Sequence, residues 1–375
     1  MSKTYDTIII GAGIAGASSA YALRLKGQKV LVLDKRGIAT GGSGAAGAFV
    51  SPKIGKGSPL QTLTNTSFSF AKDFYLTTCP EFFHQTGVIR IPKDEDDAKK
   101  FSEYESFNQN SYELYTKEQL HTQGICSDLE SFYFSEAGDC DAKKVCEFLL
   151  SGIEVVQYDV KQLKQENGLW CVGNYSAKNL VLATGYESDL ADLRYMGIRG
   201  TWGTRGDFSS KLPLAVSMHQ SMSVGANVNG IIKLGATHEK EVKEPIPCQE
   251  EQAMLLKEKA SSLIDTSDLE LKEIFCGMRA GSKDYFPLVG KLIDVPFMLD
   301  TYPAVSRGAK PEMKYLDHLY VCNGLGGRGF VFAPLMAEML AECIVENKDV
   351  DSRVDPDRLF LKWCRKSDDL RHFRT

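Results

Sequence analysis

The sequence predicts an α/β fold: a mainly parallel sheet flanked by helices, with a smaller α+β domain attached. Three observations lead to this prediction. The 375 residues exceed what one hydrophobic core usually serves, so two or three folding units are expected. The first 34 residues alternate strand, helix and strand, and further apolar strands occur at residues 179–182 and 319–322. Alternation of this kind is typical of parallel sheets.

The strongest motif lies at the N-terminus. Residues 5–10 are typical of a buried strand, and they run into the G-x-G-x-x-G turn of Gly11, Gly13 and Gly16. A helix and a second apolar strand follow, and that strand ends at Asp34. This order is the complete dinucleotide fingerprint of a Rossmann-type domain, in which the turn and helix start approach a pyrophosphate and the acid accepts from ribose hydroxyls. A glycine-rich turn without a ligand is the alternative.

A loop of small residues, 41–48, comes soon after Asp34 and Lys35. Its backbone amides suit a phosphate or a flavin ring. It is not a nucleophile elbow, because Ala45 stands where G-x-S-x-G requires glycine, and no P-loop sequence occurs in the chain. Taken alone, the loop also fits a flexible connection.

Two later segments favour FAD over NAD as the ligand. The strand 179–182 ends in Ala183-Thr184-Gly185, and the strand 319–322 runs into a glycine-rich segment, 324–329, that opens an apolar helix. A second helix start presented by glycines suits a flavin, because the N1/C2=O edge of the ring becomes anionic on reduction. We therefore expect FAD as the cofactor.

Composition excludes several classes of function. The formal net charge is -5, so the chain lacks the basic character of proteins held to nucleic acid by bulk electrostatics. We expect no DNA partner, and any RNA contact must be a local basic patch. The histidines show no metal-ligand spacing, so no metal is expected.

The cysteines and the N-terminal apolar segment indicate a cytoplasmic protein. The 10 cysteines include no C-x-x-C pair, and we expect reduced thiols. Residues 7–23 carry no charge, but glycines, serines and a tyrosine interrupt them, so we expect neither a signal peptide nor a membrane span.

With these pieces in view, the chain resembles the D-amino-acid-oxidase/glycine-oxidase (DAO) superfamily, whose FAD domain is glutathione-reductase-like. Within it, the chain is similar to the FAD-dependent oxidase half of the MnmC family, bifunctional enzymes that modify a tRNA wobble uridine. The narrower resemblance rests on SGAAGAFVSPKIG (43–55), SFSFAKDFY (67–75), GIRGTW (197–202), MRAGSKDYFPLVG (278–290), GLGGRGFVFAPLMAEMLA (324–341) and VDPDRLFLKW (354–363).

The resemblance implies a substrate and two site arginines. The substrate would be 5-carboxymethylaminomethyl(-2-thio)uridine at the tRNA wobble position, and the products 5-aminomethyl(-2-thio)uridine and glyoxylate. Arg279 lies where the superfamily keeps its carboxylate-binding arginine, and Arg328 is a second candidate. Without the resemblance, a surface ion pair of Arg279 with Asp284 or Glu273 is the simpler interpretation. His238 is a candidate for the border of the substrate cavity or, alternatively, a structural histidine.

Most of the expected FAD contacts come from the fingerprint with Lys35, the small-residue loop and the two later glycine segments, and Val160 lies outside these segments. The expected contacts are Gly11, Ala12, Gly13, Ile14, Ala15, Gly16, Asp34, Lys35, Ser43, Gly44, Ala45, Ala46, Gly47, Ala48, Val160, Ala183, Thr184, Gly185, Gly324, Gly326, Gly327, Arg328, Gly329 and Phe330.

The expected partner is a tRNA, bound through a local basic patch. The candidate patch is the tail that contains Arg353, Arg358, Lys362, Arg365, Lys366, Arg371 and Arg374, although a solvated amphipathic tail explains these charges equally well. Because the fingerprint begins at residue 11, we expect a separate methyltransferase to act on the product. Two alternatives remain: an oxidase of glycine, sarcosine or a D-amino acid, and a protein that only binds within a tRNA-modifying assembly.

We expect a discontinuous FAD-binding domain formed by residues 1–80, 140–205 and 275–375. Residues 81–139 and 206–274 would form the substrate domain.

Overall fold

In the computed structural model, which describes residues 3–187, 189–368 and 370, the chain forms three sheets flanked by helices. The strands are, in chain order, β1 Lys3–Ile10, β2 Val30–Asp34, β3 Phe49–Val50, β4 Phe83–His84, β5 Val88–Arg90, β6 Glu113–Tyr115, β7 Ser131–Phe134, β8 Gly138–Cys140, β9 Glu154–Gln157, β10 Lys164–Glu166, β11 Leu169–Val172, β12 Tyr175–Leu182, β13 Arg199–Ser209, β14 Ser217–His219, β15 Ser223–Val224, β16 Ile231–Gly235, β17 Glu270–Gly281, β18 Leu288–Ile293 and β19 Tyr315–Asn323. The helices are α1 Ile14–Leu25, α2 Pro59–Thr78, α3 Glu95–Tyr104, α4 Lys117–Thr122, α5 Ala142–Leu149, α6 Glu250–Ala260, α7 Val295–Thr301, α8 Gly329–Glu346 and α9 Asp357–Lys366.

The first sheet is built around β1. Strands β9, β2, β1, β12 and β19 lie in that order and run parallel, with β18 antiparallel at the β19 edge. Ile8 lies in register with Leu31 on one side and Leu180 on the other, and all three side chains are fully buried. Apolar strands without polar alternation are expected where a parallel sheet is covered on both faces. The predicted strands of this sheet are confirmed.

Helices α1 and α8 pack against each other and belong to the same apolar cluster. Small buried residues, such as Ala17 in α1 and Ala337 in α8, allow a close approach of the two helices. Helix α2 packs on α8 as well, and the buried hydroxyl of Tyr75 donates a 2.9 Å hydrogen bond to the carbonyl of Phe330. Helix α2 therefore fixes the first turn of α8.

The second sheet has the order β17, β13, β16, β15, β14, β5, β7 and β6. Helix α6 packs on it, and Ala253 and Leu256 join Phe208 and Ile232 in one buried cluster. The small third sheet has the order β3, β8 and β4. Strands β13 and β17 run across the expected domain boundaries at 205 and 275, and the division into an FAD-binding and a substrate domain stays a prediction.

The expectation that every cysteine is a free thiol is wrong for one pair. Cys248, in the loop before α6, and Cys276, on β17, form a disulfide with their Cα atoms 5.7 Å apart. The two residues are 28 positions apart in the sequence, so no local spacing reveals a pair that β17 creates by passing that loop. Among the described residues, no helix has both the length and the apolar character to cross a membrane.

Candidate active site

The first glycine turn leaves no room for side chains. Gly11 has a φ of +113°, and a Cβ atom there would lie 2.2 Å from the carbonyl oxygen of Ala183. A Cβ at Gly16 would lie 1.9 Å from the carbonyl oxygen of Gly11. The turn, the first helix and the end of β12 thus pack backbone against backbone, which is the reason for glycine at these positions.

The start of α1 has free capacity for an anion. Its N-cap residue is Gly13, which has no side chain to satisfy the first amides. The hydroxyl of Ser43 accepts a hydrogen bond from the amide of Ile14 at 2.9 Å, so the small-residue loop contacts this helix start. A glycine-capped helix start with one hydroxyl beside it suits a phosphate group.

Asp34 organises the backbone at the ends of β1 and β2. One carboxylate oxygen accepts from the amide of Ala12 at 2.8 Å. The other accepts from the amides of Arg36 and Gly37, at 2.8 and 2.9 Å. The structure therefore places Asp34 against the glycine turn, where the fingerprint predicts it.

Lys35 directly follows β2, and Val160 lies shortly after the end of β9. Lys35 forms an ion pair with Glu187 at 2.7 Å, and the hydroxyl of Thr184 donates to the carbonyl of Glu187 at 2.5 Å. These contacts join the segment after β2 to the segment after β12. Val160 is half-buried and packs with the second apolar cluster of the first sheet.

The small-residue loop lies against β17. A Cβ at Gly42 would lie 2.5 Å from the carbonyl oxygen of Met278, and a Cβ at Gly277 would lie 2.9 Å from the Cα of Gly42. The buried guanidinium of Arg205 donates to the carbonyl of Ala46 in this loop. Arg205, on β13 of the second sheet, thus holds a loop that follows β2 of the first sheet. No local motif indicates this contact. The same loop contains the predicted residues Gly44, Ala45, Gly47 and Ala48.

The second glycine segment lies beside the first. The amide nitrogen of the Asn323 side chain donates to the carbonyl of Gly185 at 2.8 Å, while its oxygen accepts from the amide of Gly324 at 2.8 Å. A Cβ at Gly329 would lie 3.2 Å from Cγ2 of Ile14. The starts of α1 and α8 are therefore neighbours. The remaining predicted residues of the two segments lie on the same turns or the helix turns that follow: Ala12, Ala15, Gly326, Gly327 and Phe330.

Arg279 lies on β17, beside Gly42 of the small-residue loop. Its Nη2 atom donates to the carbonyl of Thr237 at 2.9 Å, and its Nη1 atom is buried without a hydrogen-bond partner among the described residues. A Cβ at Gly203 would lie 2.0 Å from Nη2, so only glycine on the paired strand β13 leaves room for the guanidinium. Burial lowers the pKa of Arg279. A half-buried guanidinium with an unpartnered nitrogen is suited to a carboxylate ligand.

The alternative ion pairs of Arg279 do not form in the structure. Asp284 instead makes a two-pronged pair with Arg358, at 2.9 and 3.0 Å, and Glu273 has no ion pair with any described residue.

His238 is exposed and close to Arg279. Desolvation, followed by the charge of Arg279, lowers the pKa of its imidazole. No cluster of His, Cys, Asp and Glu suited to a metal ion occurs among the described residues.

Arg328 lies close to two other cations, Arg90 and Lys53, which no sequence motif links to it. Its Nη1 atom donates to the carbonyl of Ser51 at 3.1 Å, and Arg90 on β5 donates to the hydroxyl of the same serine at 3.2 Å. Lys53 follows two residues later and is half-buried. These three cations come from separate parts of the chain, so only the fold shows that they are neighbours.

The geometry fits a flavin dinucleotide. The structure brings together two helix starts lined by glycine, a carboxylate at the end of β2 and a small-residue loop packed on β17. These segments form a cradle with tight walls, because a Cβ atom at Gly11, Gly16 or Gly42 would overlap a backbone carbonyl of a neighbouring segment. Such a cradle is what close approach to a pyrophosphate and an isoalloxazine ring requires.

Comparison with curated proteins finds long relatives of modest identity. The chain is 26% identical over 409 residues to the tRNA 5-methylaminomethyl-2-thiouridine biosynthesis bifunctional protein MnmC of Shewanella amazonensis, covering 97% of this chain and 61% of that protein. It is 27% identical over 391 residues to the protein of the same name from Marinobacter nauticus, covering 95% and 59%. The chain thus spans about three-fifths of the length of these relatives.

Solved structures show the same fold. Glycine oxidase from Geobacillus kaustophilus has a TM-score of 0.78 at 17% identity, covering 93% of this chain and 96% of that one. Iminodiacetate oxidase from Chelativorans sp. BNC1 has a TM-score of 0.73 at 17% identity, covering 93% and 98%. The model of the FAD dependent oxidoreductase family, DAO, matches residues 6–343. The predictions of fold class, superfamily and cofactor are confirmed: the chain is an α/β, Rossmann-type flavoprotein and belongs to the FAD dependent oxidoreductase (DAO) family.

Proposed function

We propose that this oxidoreductase removes the carboxymethyl group of 5-carboxymethylaminomethyl(-2-thio)uridine at the tRNA wobble position. The products are 5-aminomethyl(-2-thio)uridine and glyoxylate. The names of the curated relatives support this substrate, and their sequences match nearly the whole of this chain. The observation that carries the proposal is Arg279, a half-buried guanidinium beside the proposed cofactor cradle that has no acidic partner in the described part of the chain.

The substrate side chain is an N-substituted glycine, so the site must hold a carboxylate. Arg279 offers a planar fork for two parallel hydrogen bonds, and Gly203 leaves the space in which that fork lies. Thr237 holds one nitrogen in place, which leaves the buried Nη1 for a ligand. Such pinning would place the glycine CH2 at a near-attack distance of about 3 to 3.5 Å from the acceptor atom.

FAD, when bound, supplies the two-electron acceptor for the hydride of that CH2 group. The residues proposed to hold it are the glycine turn, Ser43, Asp34 and the glycines of the segment 324–329. The amine nitrogen must be unprotonated for its lone pair to assist, and it then loses its proton as the C=N bond forms. The positive charge of Arg279 favours the neutral form of the substrate amine, because it disfavours a second positive charge nearby. Water hydrolyses the imine to glyoxylate and the primary amine.

The proposed contact with tRNA is local. In α9, Leu359, Phe360 and Cys364 are buried, while Lys362, Arg365 and Lys366 are exposed on the other face. Arg353 pairs with Asp351 and Arg358 with Asp284, so these two cations already have acidic partners. Arg371 and Arg374 lie outside the described residues. The exposed face of α9 is what remains of the expected basic patch, and a separate methyltransferase partner stays a prediction.

The experiment is nucleoside mass spectrometry of tRNA from a strain that lacks this chain. We expect 5-carboxymethylaminomethyluridine, with or without 2-thiolation, to accumulate and to disappear when the wild-type chain is restored. The Arg279→Gln chain should fail to restore it, whereas the exposed Arg307→Gln chain should succeed. Unchanged nucleoside levels in the deletion strain contradict the proposal.

The second candidate is oxidation of a free amine such as glycine, sarcosine or a D-amino acid. It is favoured by the fold shared with glycine oxidase, and the Arg279 fork would suit any amino acid carboxylate. Anaerobic mixing of the holoenzyme with glycine or sarcosine separates the two candidates. Rapid bleaching of the flavin by either compound supports the small-molecule oxidase.

A further inference from the structure

Two guanidinium groups from distant parts of the chain converge on Ser51. Nη2 of Arg90 donates to the Ser51 hydroxyl at 3.2 Å and to the carbonyl of Pro52 at 3.0 Å. Nη1 of Arg328 donates to the carbonyl of Ser51 at 3.1 Å. Lys53, half-buried, follows on the same segment. We call Arg90, Arg328 and Lys53 the Ser51 cluster.

Within residues 3–187, 189–368 and 370, no acid forms an ion pair with the Ser51 cluster. Arg90 is only 7% exposed, and its buried Nε atom has no hydrogen-bond partner in the part of the chain that the structure describes. Burial, then the charge of Arg328, lowers the pKa of Arg90 to about 9. Burial, then the charges of Arg328 and Arg90, lowers the pKa of Lys53. None of the three cations forms an ion pair with a carboxylate among the described residues.

Two other cations with little exposure, unlike Arg279, do have carboxylates. Lys233 lies 2.6 Å from the buried Asp139, and Arg205 lies 2.8 Å from Asp207. Buried charges are normally paired in this way, because an unpaired charge loses its hydration without compensation. The unpaired cations at Ser51, like Arg279, therefore point to a negative charge that arrives with a ligand.

The Ser51 cluster is distinct from the fork at Arg279. Arg279 is held by Thr237 on the β13–β17 side of the second sheet, whereas Arg90 lies on β5 of that sheet and reaches Ser51. Arg328 is the N-cap residue of α8, so the partial positive charge of that helix start adds to the cluster. The chain thus presents a cluster for a second anion besides the fork proposed for the substrate carboxylate.

We propose that Arg90, Arg328 and Lys53 form a second anion subsite, which binds a phosphate of the wobble nucleotide while Arg279 holds the carboxylate. This inference rests on the proposed function. Guanidinium groups bind phosphate and carboxylate through the same paired hydrogen bonds, so the shared chemistry is a second oxyanion on the substrate. The subsite would also take the second carboxylate of a small dicarboxylic amine, and the test separates the two sources.

The test uses the FAD-loaded enzyme and four ligands in two pairs. One pair is 5-carboxymethylaminomethyluridine and its 5′-monophosphate; the other is sarcosine and iminodiacetate. Anaerobic flavin reduction gives an apparent Kd for each, and calorimetry with inorganic phosphate gives a direct binding constant. We expect the monophosphate to bind about tenfold or more tightly than the nucleoside. Arg90→Gln should bring this ratio close to 1 and weaken phosphate binding about tenfold, whereas Arg307→Gln should change neither.

Lys53→Gln provides a second variant on a half-buried side chain if Arg90→Gln does not fold, and it should reduce the same ratio. A nucleoside that reacts as well as its monophosphate, without phosphate binding at about 10 mM, overturns the subsite but leaves the proposed function standing. Tight binding of iminodiacetate relative to sarcosine, with no reaction of either nucleotide ligand, supports the subsite and contradicts the tRNA substrate.

Discussion

The hydroxyl of Ser43 accepts a 2.9 Å hydrogen bond from the amide of Ile14 at the start of α1. Gly13 provides no side-chain cap, so this contact joins the small-residue loop to the helix start proposed to hold the pyrophosphate. We expect Ser43→Ala to weaken FAD binding by about tenfold, the value of one hydrogen bond of roughly 1.4 kcal/mol. Titration of the apoprotein with FAD measures this.

The matched control is Ser58→Ala, because Ser58 caps α2 through the amide of Gln61 at 3.2 Å. It should lower the free energy of unfolding by about 1 kcal/mol without changing the Kd for FAD. Equal FAD affinity in wild type and Ser43→Ala would show that the loop does not contribute to the cofactor site.

Gly11→Ala tests the close approach at the glycine turn. A Cβ there would overlap the carbonyl of Ala183, so we expect a loss of roughly 3 kcal/mol or more in the free energy of unfolding, and a protein without bound flavin. Gly27→Ala is the control: its φ is also positive, +80°, but no atom lies within 4 Å of the added Cβ. It should cost about 1 kcal/mol and keep the flavin. Thermal unfolding and the flavin absorbance measure these effects. Equal losses in Gly11→Ala and Gly27→Ala would mean that overlap with Ala183 is not the reason for glycine at position 11.

Arg279→Lys keeps the charge and removes the fork. Since the lysine ammonium is a point donor, we expect kcat/KM for the tRNA substrate to fall about 100-fold, with the FAD absorbance spectrum retained. The same exchange at the exposed Arg307 should leave kcat/KM unchanged. An Arg279→Lys enzyme with wild-type kcat/KM would mean that another group holds the substrate carboxylate.

The raised pKa of Asp357 makes the free energy of unfolding depend on pH. Burial, then the charge of Asp355, raises the pKa of Asp357 to about 7, while the unfolded chain has a value of about 4. The folded chain binds this proton more tightly, so its stability falls as the pH rises from about 4 through about 7. Asp357→Asn still accepts the 2.5 Å hydrogen bond of Tyr315 and cannot ionise.

We therefore expect Asp357→Asn to be more stable than wild type at pH 8, by on the order of 1–3 kcal/mol, with a smaller difference at pH 5. Denaturant unfolding at the two pH values measures this. The exposed Asp317→Asn variant should show the wild-type pH dependence. Parallel curves for wild type and Asp357→Asn would place the raised pKa elsewhere.

Removal of two charges from α9 tests the proposed RNA contact. Lys362→Gln with Lys366→Gln leaves the buried face of the helix intact, so the thermal stability should change little. If this face binds tRNA, the affinity falls, and the slope of log affinity against log salt decreases by roughly 1 to 2. An unchanged slope identifies the charges as solvated side chains of an amphipathic helix.

The sequence predicts the site residues that lie within continuous motifs, but not those that the fold brings together from separate strands. The glycine turn, Asp34 and the 324–329 segment lie within continuous motifs whose spacing has a steric reason, and the structure places them together. Arg90, Lys53 and the Cys248–Cys276 pair have no such motif, because their partners come from other strands. The ion pair considered for Arg279 was wrong, since Arg358, distant in sequence, takes Asp284.

The shared position of Arg90 and Arg328 on Ser51 has a practical consequence for assays. Two adjacent cations without a counter-charge attract small anions from the solvent, so a buffer of phosphate or sulfate would compete with the substrate and raise its apparent KM. Kinetic constants measured in an amine buffer of low ionic strength should therefore differ from those measured in phosphate, and the difference should vanish in the Arg90→Gln enzyme.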